Sequence, residues 1–167
     1  MGLIALITDY GTSDWFAGEM KGAMLRIAPA ARIVDISHNI PPGDTREAAF
    51  SLLSCYRSFP DDTVFCVVVD PGVGTGRAAL AARCGSRSFV GPDNGVLSWA
   101  LKKEKNCSVR LIECPDLLTG PISSTFHGRD IFAPIAAHLS EGIEFEKMVS
   151  SFVVKFTVCL RLRRRNR

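Results

Sequence analysis

An aspartate and an arginine frame a glycine-rich turn near the middle of the chain. Residues 64–69 (VFCVVV) form an apolar, β-branched run, typical of a strand that is buried on both faces of a parallel sheet. Asp70 follows this run, Pro71 ends the hydrogen-bonded ladder, and a turn with three glycines leads to Arg77. Because ligands bind at the carboxyl ends of strands in open α/β sheets, a carboxylate and a guanidinium are expected where a ligand would lie.

A purely structural role for the same turn remains equally open. An aspartate before Pro-Gly often does no more than cap a turn. Residues 72–77 (GVGTGR) lack the Gly-Lys-Ser/Thr ending of a P-loop and the glycine spacing of a dinucleotide-binding turn. The turn alone therefore does not define a ligand.

Other polar side chains are predicted at the same edge of the sheet. Asp9 follows the first apolar run, Asp93 lies in a turn-forming segment, and His127 lies in a polar loop before a helix. An isolated histidine most often only completes a hydrogen bond, and we interpret His38 and His138 in that structural way. His127 is singled out because of its polar neighbours.

The spacing of apolar residues predicts alternating strands and helices. The first half of the chain has strands over 3–8, 33–36 and 64–69, separated by helices over about 15–27 and 45–56. A hairpin centred on Gly85, a short helix, another strand and a last helix follow. This order predicts the α/β class, with a mostly parallel, doubly wound sheet flanked by helices.

Three helix starts are predicted from polar side chains that accept hydrogen bonds from exposed backbone N–H groups. Ser13 or Asp14 would cap the first helix. Asp44, with Glu47 three residues later, has the pattern of a capping box at the second helix. Asp130 would cap the last helix.

The composition is that of a globular domain with a substantial core. The chain has 167 residues, of which 47% are hydrophobic and 22% charged. No apolar run reaches the ~18 residues that a membrane span needs, and no secretory signal is evident, so a cytoplasmic location without a membrane partner is expected. None of the six cysteines forms a Cys-x-x-Cys pair, which favours reduced, buried thiols and no metal site.

Positive charge is concentrated at the C-terminal end. No acidic residue follows Glu146, whereas residues 148–167 contain six lysines and arginines. We therefore interpret 1–148 as the folded α/β domain and 149–167 as a divergent basic tail, such as a truncation would leave. Because the rest of the chain is mildly acidic, no nucleic-acid partner is expected. A weaker alternative, contact of the tail with a polyanion, would be excluded if removal of 161–167 left polyanion affinity unchanged.

Six short blocks, in order along residues 3–142, give a more specific signal than any single turn. They are TDYG at 8–11, MKG at 20–22, IVDISHNIPP at 33–42, VDPGVGT at 69–75, GPDNG at 91–95 and TFHGRDIFAP at 125–134. Together they resemble the S-adenosyl-L-methionine hydroxide adenosyltransferases, a family related to the fluorinase and the chlorinase. The resemblance implies hydrolysis of S-adenosyl-L-methionine to adenosine and L-methionine, by attack of water or hydroxide on the ribose C5′, without a metal or other cofactor.

The resemblance also implies roles for individual residues. Asp70, Arg77 and His127 match the side chains that hold the attacking water, and Asp9 matches the carboxylate that binds the ribose diol. Positions that line the ligand in the family correspond to Asp14, Trp15, Phe16, Thr125 and Phe126.

The halogenating relatives differ from this chain at the expected nucleophile site. The fluorinase and the chlorinase have a tyrosine where this chain has Asp70, and the fluorinase has Tyr-Ser in place of residues 127–128. Because an anionic Asp70 would repel a halide, the sequence favours hydrolysis over halogenation.

The family extends beyond the part that this sequence resembles. Its members have a second, C-terminal β-barrel domain, and the ligand lies between the first domain of one subunit and the second domain of a neighbour in a homotrimer. The resemblance ends near residue 149, so we expect that domain to be absent and activity to be impaired. The alternative is a catalytically inactive, nucleoside-binding or oligomerising α/β domain.

Overall fold

The computed structural model describes residues 2–118 and 120–148. The basic tail predicted at 149–167 lies outside the described residues, and its interpretation stays a prediction.

Six strands form a single sheet in the described part of the chain. They are β1 (Leu3–Thr8), β2 (Arg32–Ser37), β3 (Thr63–Val68), β4 (Ala79–Cys84), β5 (Arg87–Pro92) and β6 (Cys107–Leu111). Their order across the sheet is β2-β1-β3-β5-β4-β6. Neighbouring strands from β2 to β5 are parallel, and β4 runs antiparallel to both β5 and β6. The predicted, mostly parallel sheet is confirmed.

Helices cover both faces of this sheet. They are α1 (Phe16–Ile27), α2 (Thr45–Cys55), α3 (Ser98–Lys103) and α4 (Ala133–Ser140). Ile4 and Leu6 of β1 pack in the core beneath α1 and α4, whereas Ala5 and Ile7 pack in the core beneath α2 and α3. This alternation follows from the two-residue period of a strand and confirms the doubly wound α/β prediction. In the described ranges, no helix has the length and apolar character needed to cross a membrane.

The apolar run that the sequence predicts as a central strand is β3. All six of its residues are buried, and it lies between β1 and β5. Phe65 stacks on Phe89 of β5 with ring centroids 5.3 Å apart, and the edge of the Tyr56 ring meets Phe65 at 6.2 Å. The packing of these rings fixes the position of β3, and with it the start of the turn that begins at Asp70.

The hairpin predicted at Gly85 is present, but the prediction for the cysteines is partly wrong. Antiparallel pairing of β4 with β6 places Cys84 directly opposite Cys107, and the two form a disulfide across 23 residues of sequence. Such a pairing is set by strand register, which Cys spacing does not reveal. Within residues 2–118 and 120–148, Cys55, Cys66 and Cys114 take part in no disulfide.

One of the three predicted helix caps is confirmed. The Asp44 carboxylate accepts hydrogen bonds from the backbone N–H groups of Arg46 and Glu47, at 3.1 and 3.0 Å. At α1 the prediction is wrong because the helix starts one residue later than expected, which makes Trp15 the N-cap and leaves Asp14 exposed.

The predicted cap at Asp130 is also wrong. This residue lies inside a π-helical turn, Gly128–Phe132, that runs directly into α4. Its carboxylate accepts a hydrogen bond from the backbone N–H of Ser123 at 2.8 Å and pairs with Arg129. Asp130 thus holds the preceding loop onto the turn and does not start a regular α-helix.

Gly91 provides a test of the packing between β3 and β5. A Cβ at this position would lie 2.6 Å from the carbonyl oxygen of Val67, and strand backbone cannot move away easily. We expect Gly91→Ala to lower the free energy of unfolding by about 1–3 kcal/mol. Gly22 is the matched control because it is exposed on α1 with open space around it, and Gly22→Ala should raise stability by about 0.5–1 kcal/mol. Urea titrations followed by circular dichroism measure both, and equal shifts in the same direction would contradict the packing.

Candidate functional site

Loops from three parallel strands meet at one edge of the sheet. Asp9 directly follows β1, Asp70 lies two residues after β3, and Asp93 directly follows β5. Because these strands are parallel neighbours, their carboxyl ends lie side by side. The structure therefore places all three predicted carboxylates at the expected edge.

The turn from Asp70 to Arg77 depends on its glycines. The Asp70 side chain accepts a hydrogen bond from the Gly72 N–H at 3.2 Å, which starts the turn. Gly74 has φ +76°, and a Cβ there would collide with the carbonyl oxygen of Ser124. The turn consequently packs directly on the loop that leads to His127.

Asp70, Arg77 and His127 form the trio that the family resemblance predicts. Arg77 connects the other two members. Its Nε donates a hydrogen bond to Asp70 Oδ2 at 2.7 Å, and its Nη2 forms an ion pair with the same oxygen. Nη2 also lies 2.6 Å from His127 Nδ1. The Asp70 and Arg77 side chains are only 5% and 10% exposed, and the guanidinium lies over the Phe132 ring. The structure thus brings together residues that are 50 positions apart in sequence.

The contact with Arg77 determines the tautomer of His127. A guanidinium has N–H donors and no acceptor, so Nδ1 must accept the hydrogen bond and the proton of the neutral ring must lie on Nε2. Burial and the Arg77 charge hold the His127 pKa below its ordinary value, against the opposing effect of Asp70 and Asp130. His127 is therefore a neutral imidazole near pH 7 that offers an N–H donor at Nε2.

Asp9 is held by the loop that follows β2. Its Oδ2 accepts a hydrogen bond from the backbone N–H of Gly43 at 2.8 Å. Gly43 has φ +71° and lies against Pro71, the residue after Asp70. The Asp9 carboxylate and the Asp70 turn are therefore fixed relative to each other through the Gly43 loop.

Tyr10 belongs to the site, although the sequence interpretation did not select it. Burial raises the pKa of its phenol, and the nearby charges of Asp9 and Asp70 raise it further, so the hydroxyl stays neutral. A Cβ at Gly128 would collide with this hydroxyl, which explains the glycine after His127. The position of Tyr10 within the TDYG block, next to Asp9, was the available sequence signal.

An aromatic cluster adjoins the polar trio through Tyr10. Phe16 stacks on Trp15 with ring centroids 4.2 Å apart, and Phe126 meets the rings of Phe16 and Tyr10 edge-on at 5.2 and 5.8 Å. Phe126 is buried, whereas Trp15 is 63% exposed. The cluster therefore offers an apolar, partly open surface beside charged groups, which suits a ligand with both a flat ring and polar substituents.

The remaining candidates lie at the margin of this arrangement. Asp14 and Thr125 are exposed on the loops that carry Trp15 and Phe126. Asp93 is outside the contacts of the trio, although its N–H donates to the carbonyl of Ala78 beside Arg77 at 2.9 Å. Within residues 2–118 and 120–148, no three His, Cys, Asp or Glu side chains form a cluster that could hold a metal ion.

These features define a doubly wound α/β domain whose loops form a mixed polar and aromatic site at the carboxyl edge of the sheet. The family model for the SAM hydroxide adenosyltransferase N-terminal domain matches residues 4–149. The chain belongs to the SAM hydroxide adenosyltransferase family, and the matched part is the N-terminal domain.

Known proteins with similar sequences and structures agree with this assignment. A protein named (R)-S-adenosyl-L-methionine hydrolase, from Salinispora arenicola, is 45% identical over 141 residues, which cover 83% of this chain and 53% of the relative. A fluorinase from Nocardia brasiliensis is 28% identical over 169 residues, covering 87% and 56%. A crystal structure of an uncharacterized conserved protein from Thermotoga maritima superposes with a TM-score of 0.85 at 42% identity, covering 88% and 57%. The chain spans about half the length of the curated relatives it matches.

The protonation of His127 can be tested by NMR titration, with His127→Gln to assign its signals. We expect His127 to titrate below the usual value of about 6.5 and to carry its neutral-state proton on Nε2. Arg77→Met keeps an aliphatic chain over Phe132 but removes the cation that disfavours the imidazolium, so the His127 pKa should rise.

The matched control is Arg87→Met, which removes a cation paired with Asp61 at the opposite end of β5. This substitution should leave the His127 pKa unchanged. An Nδ1-protonated ring in the parent protein, or the same pKa in Arg77→Met, would contradict the contact between Arg77 and His127.

Proposed function

We propose that this domain provides the nucleophile-holding part of an enzyme that hydrolyses S-adenosyl-L-methionine to adenosine and L-methionine. The observation that carries the proposal is the bridge from Arg77 to both Asp70 and His127 at the ligand-binding edge. Support also comes from the relatives named S-adenosyl-L-methionine hydrolase.

The proposed reaction is a displacement at the ribose C5′. The oxygen of a water molecule forms a bond to C5′ while the bond from C5′ to the sulfonium sulfur breaks, and sulfur keeps the electron pair. Methionine leaves as a neutral thioether, so its departure needs no acid, and the proton lost by the water must find an acceptor. The protein's task is therefore to position and desolvate the water, for which no metal or other cofactor is proposed.

The three residues of the trio have different proposed roles. Arg77 stabilises negative charge that develops on the attacking oxygen. Since the His127 proton lies on Nε2, this residue orients the water by donating a hydrogen bond. Asp70 is then the proton acceptor of the trio, because its Oδ1 is engaged only by the Gly72 N–H among the described contacts.

The neighbouring groups are assigned to substrate binding. The Gly43 N–H binds Oδ2 of Asp9 and not Oδ1. The Asp9 carboxylate is proposed to accept hydrogen bonds from the ribose diol. Trp15, Phe16 and Phe126 are proposed to contact the apolar parts of the substrate, with Asp14 and Thr125 at the exposed margin.

The second part of the proposed site comes from another domain. The relatives are nearly twice as long as the part that this chain matches, and Trp15 leaves the aromatic cluster open on one side. We propose that a C-terminal domain of a neighbouring subunit completes the site in a homotrimer. The proposed setting is the cytoplasm, with no nucleic-acid or membrane partner.

A chromatographic assay for adenosine and methionine tests the proposed function. It should be run on this chain and on a version with a complete second domain of the family added. We expect adenosine from the extended version, at a rate that falls by about 100-fold or more in Asp70→Ala and in His127→Ala. Asp61→Ala and His138→Ala are matched controls that remove the same side-chain types at remote positions, and they should keep the parent rate.

Two results would contradict the proposal. Parent rates in Asp70→Ala or His127→Ala would show that the trio does not hold the nucleophile. No adenosine from either version would favour the inactive nucleoside-binding domain instead.

A further inference from the structure

A second histidine, His38, is buried next to the proposed ribose-binding loop. Its ring is 5% exposed, with Nδ1 2.8 Å from the hydroxyl oxygen of Thr8. Nε2 lies 3.0 Å from Asp35 Oδ1, and Asp35 Oδ2 accepts a hydrogen bond from Lys21 Nζ at 2.5 Å. These four side chains form a continuous polar path from the surface to the end of β1.

The direction of each hydrogen bond along this path can be deduced. The Thr8 hydroxyl oxygen accepts a hydrogen bond from the Tyr10 backbone N–H at 3.2 Å. Because a carboxylate can only accept, the proton of the neutral His38 ring lies on Nε2, facing Asp35, and Nδ1 then accepts a hydrogen bond from the Thr8 hydroxyl. Burial would raise the Asp35 pKa, but hydrogen bonds from Lys21 and His38 outweigh burial and hold it below its usual range. The Asp35 carboxylate therefore joins the Lys21 ammonium to the His38 ring.

Backbone contacts join the same two loops. The Gly11 N–H donates to the His38 carbonyl oxygen at 2.7 Å, and the Ile40 N–H contacts the Thr8 carbonyl oxygen at 3.4 Å. A few residues further along, the Gly43 N–H donates to Asp9 Oδ2. The loop after β1 is thus fixed onto the loop after β2 on both sides of Asp9.

A nucleophilic role for this group is excluded by burial. The sequence of contacts from Thr8 to His38 to Asp35 has the order found in hydrolytic triads. Thr8, however, has no exposed surface, and its hydroxyl is already engaged by both Tyr10 and His38. No substrate can reach it, so the group acts on its neighbours.

We propose that His38 is a positioning residue that, through the Thr8 hydroxyl, fixes the loop carrying Asp9 and Tyr10 in the geometry needed to bind a ribose diol. This inference rests on the proposed function, in which Asp9 receives the ribose. If His38 had only a structural role, its substitution would lower the stability of the protein but would leave the affinity of the folded protein for a nucleoside unchanged.

Three substitutions separate the contacts of His38. His38→Asn retains an amide group near the position of Nδ1 and can still pair with Thr8. His38→Gln instead places its amide near the position of Nε2 and loses the contact with Thr8. Thr8→Val removes the hydroxyl at nearly constant shape. His138→Gln is the matched control, because His138 is a half-buried histidine on α4, away from both loops.

The first measurement is hydrogen exchange at the Gly43 amide, which reports directly on its bond to Asp9. The second is the dissociation constant of adenosine, obtained by NMR titration of this chain. We expect His38→Gln and Thr8→Val to speed Gly43 exchange and to weaken adenosine binding by about tenfold each. His38→Asn should lie between these variants and the parent, and His138→Gln should match the parent in both measurements.

The two measurements distinguish failure of this inference from failure of the proposed function. If the parent does not bind adenosine in this chain or in the extended version, the proposed function fails, while Gly43 exchange still tests the positioning. If His38→Gln and Thr8→Val leave either Gly43 exchange or adenosine affinity at the parent value, the inference is overturned. An equal effect of His138→Gln would also overturn it, because the losses would then reflect general destabilisation.

Discussion

The buried ion pair between Asp70 and Arg77 is the interaction on which the rest of the site depends. Both side chains are almost fully removed from solvent, so loss of one partner would leave an uncompensated charge, at a cost of about 3–5 kcal/mol. The same guanidinium sets the tautomer of His127, so the position of the Asp70 carboxylate and the protonation of His127 both depend on one side chain. The glycine-rich turn exists in this form because it must bring residues seven positions apart into contact at the end of a rigid strand.

The sequence predicted the features that are determined locally. Apolar, β-branched runs located β1, β2 and β3, and the turn chemistry located Asp70 and Arg77 at the correct edge of the sheet. Asp44 was identified as a cap because capping involves neighbours only two or three residues away.

The residue patterns did not predict the features that depend on tertiary contacts. The partnership of Arg77 with His127 spans 50 residues, and only the family resemblance had linked them. The disulfide between Cys84 and Cys107 follows from the register of β4 and β6. His38 was interpreted as an ordinary loop residue because its partner, Thr8, lies at the end of β1, 30 positions away in sequence.

In the proposed reaction, water held by this domain attacks the ribose C5′ of S-adenosyl-L-methionine. The most direct test is to run the reaction in ¹⁸O-labelled water with the version that carries a complete second domain, and to analyse both products by mass spectrometry. We predict one ¹⁸O atom in adenosine, at the 5′ oxygen, and none in methionine. Unlabelled adenosine, or label in methionine, would contradict the proposed reaction, because the bond to C5′ would then not be formed by water.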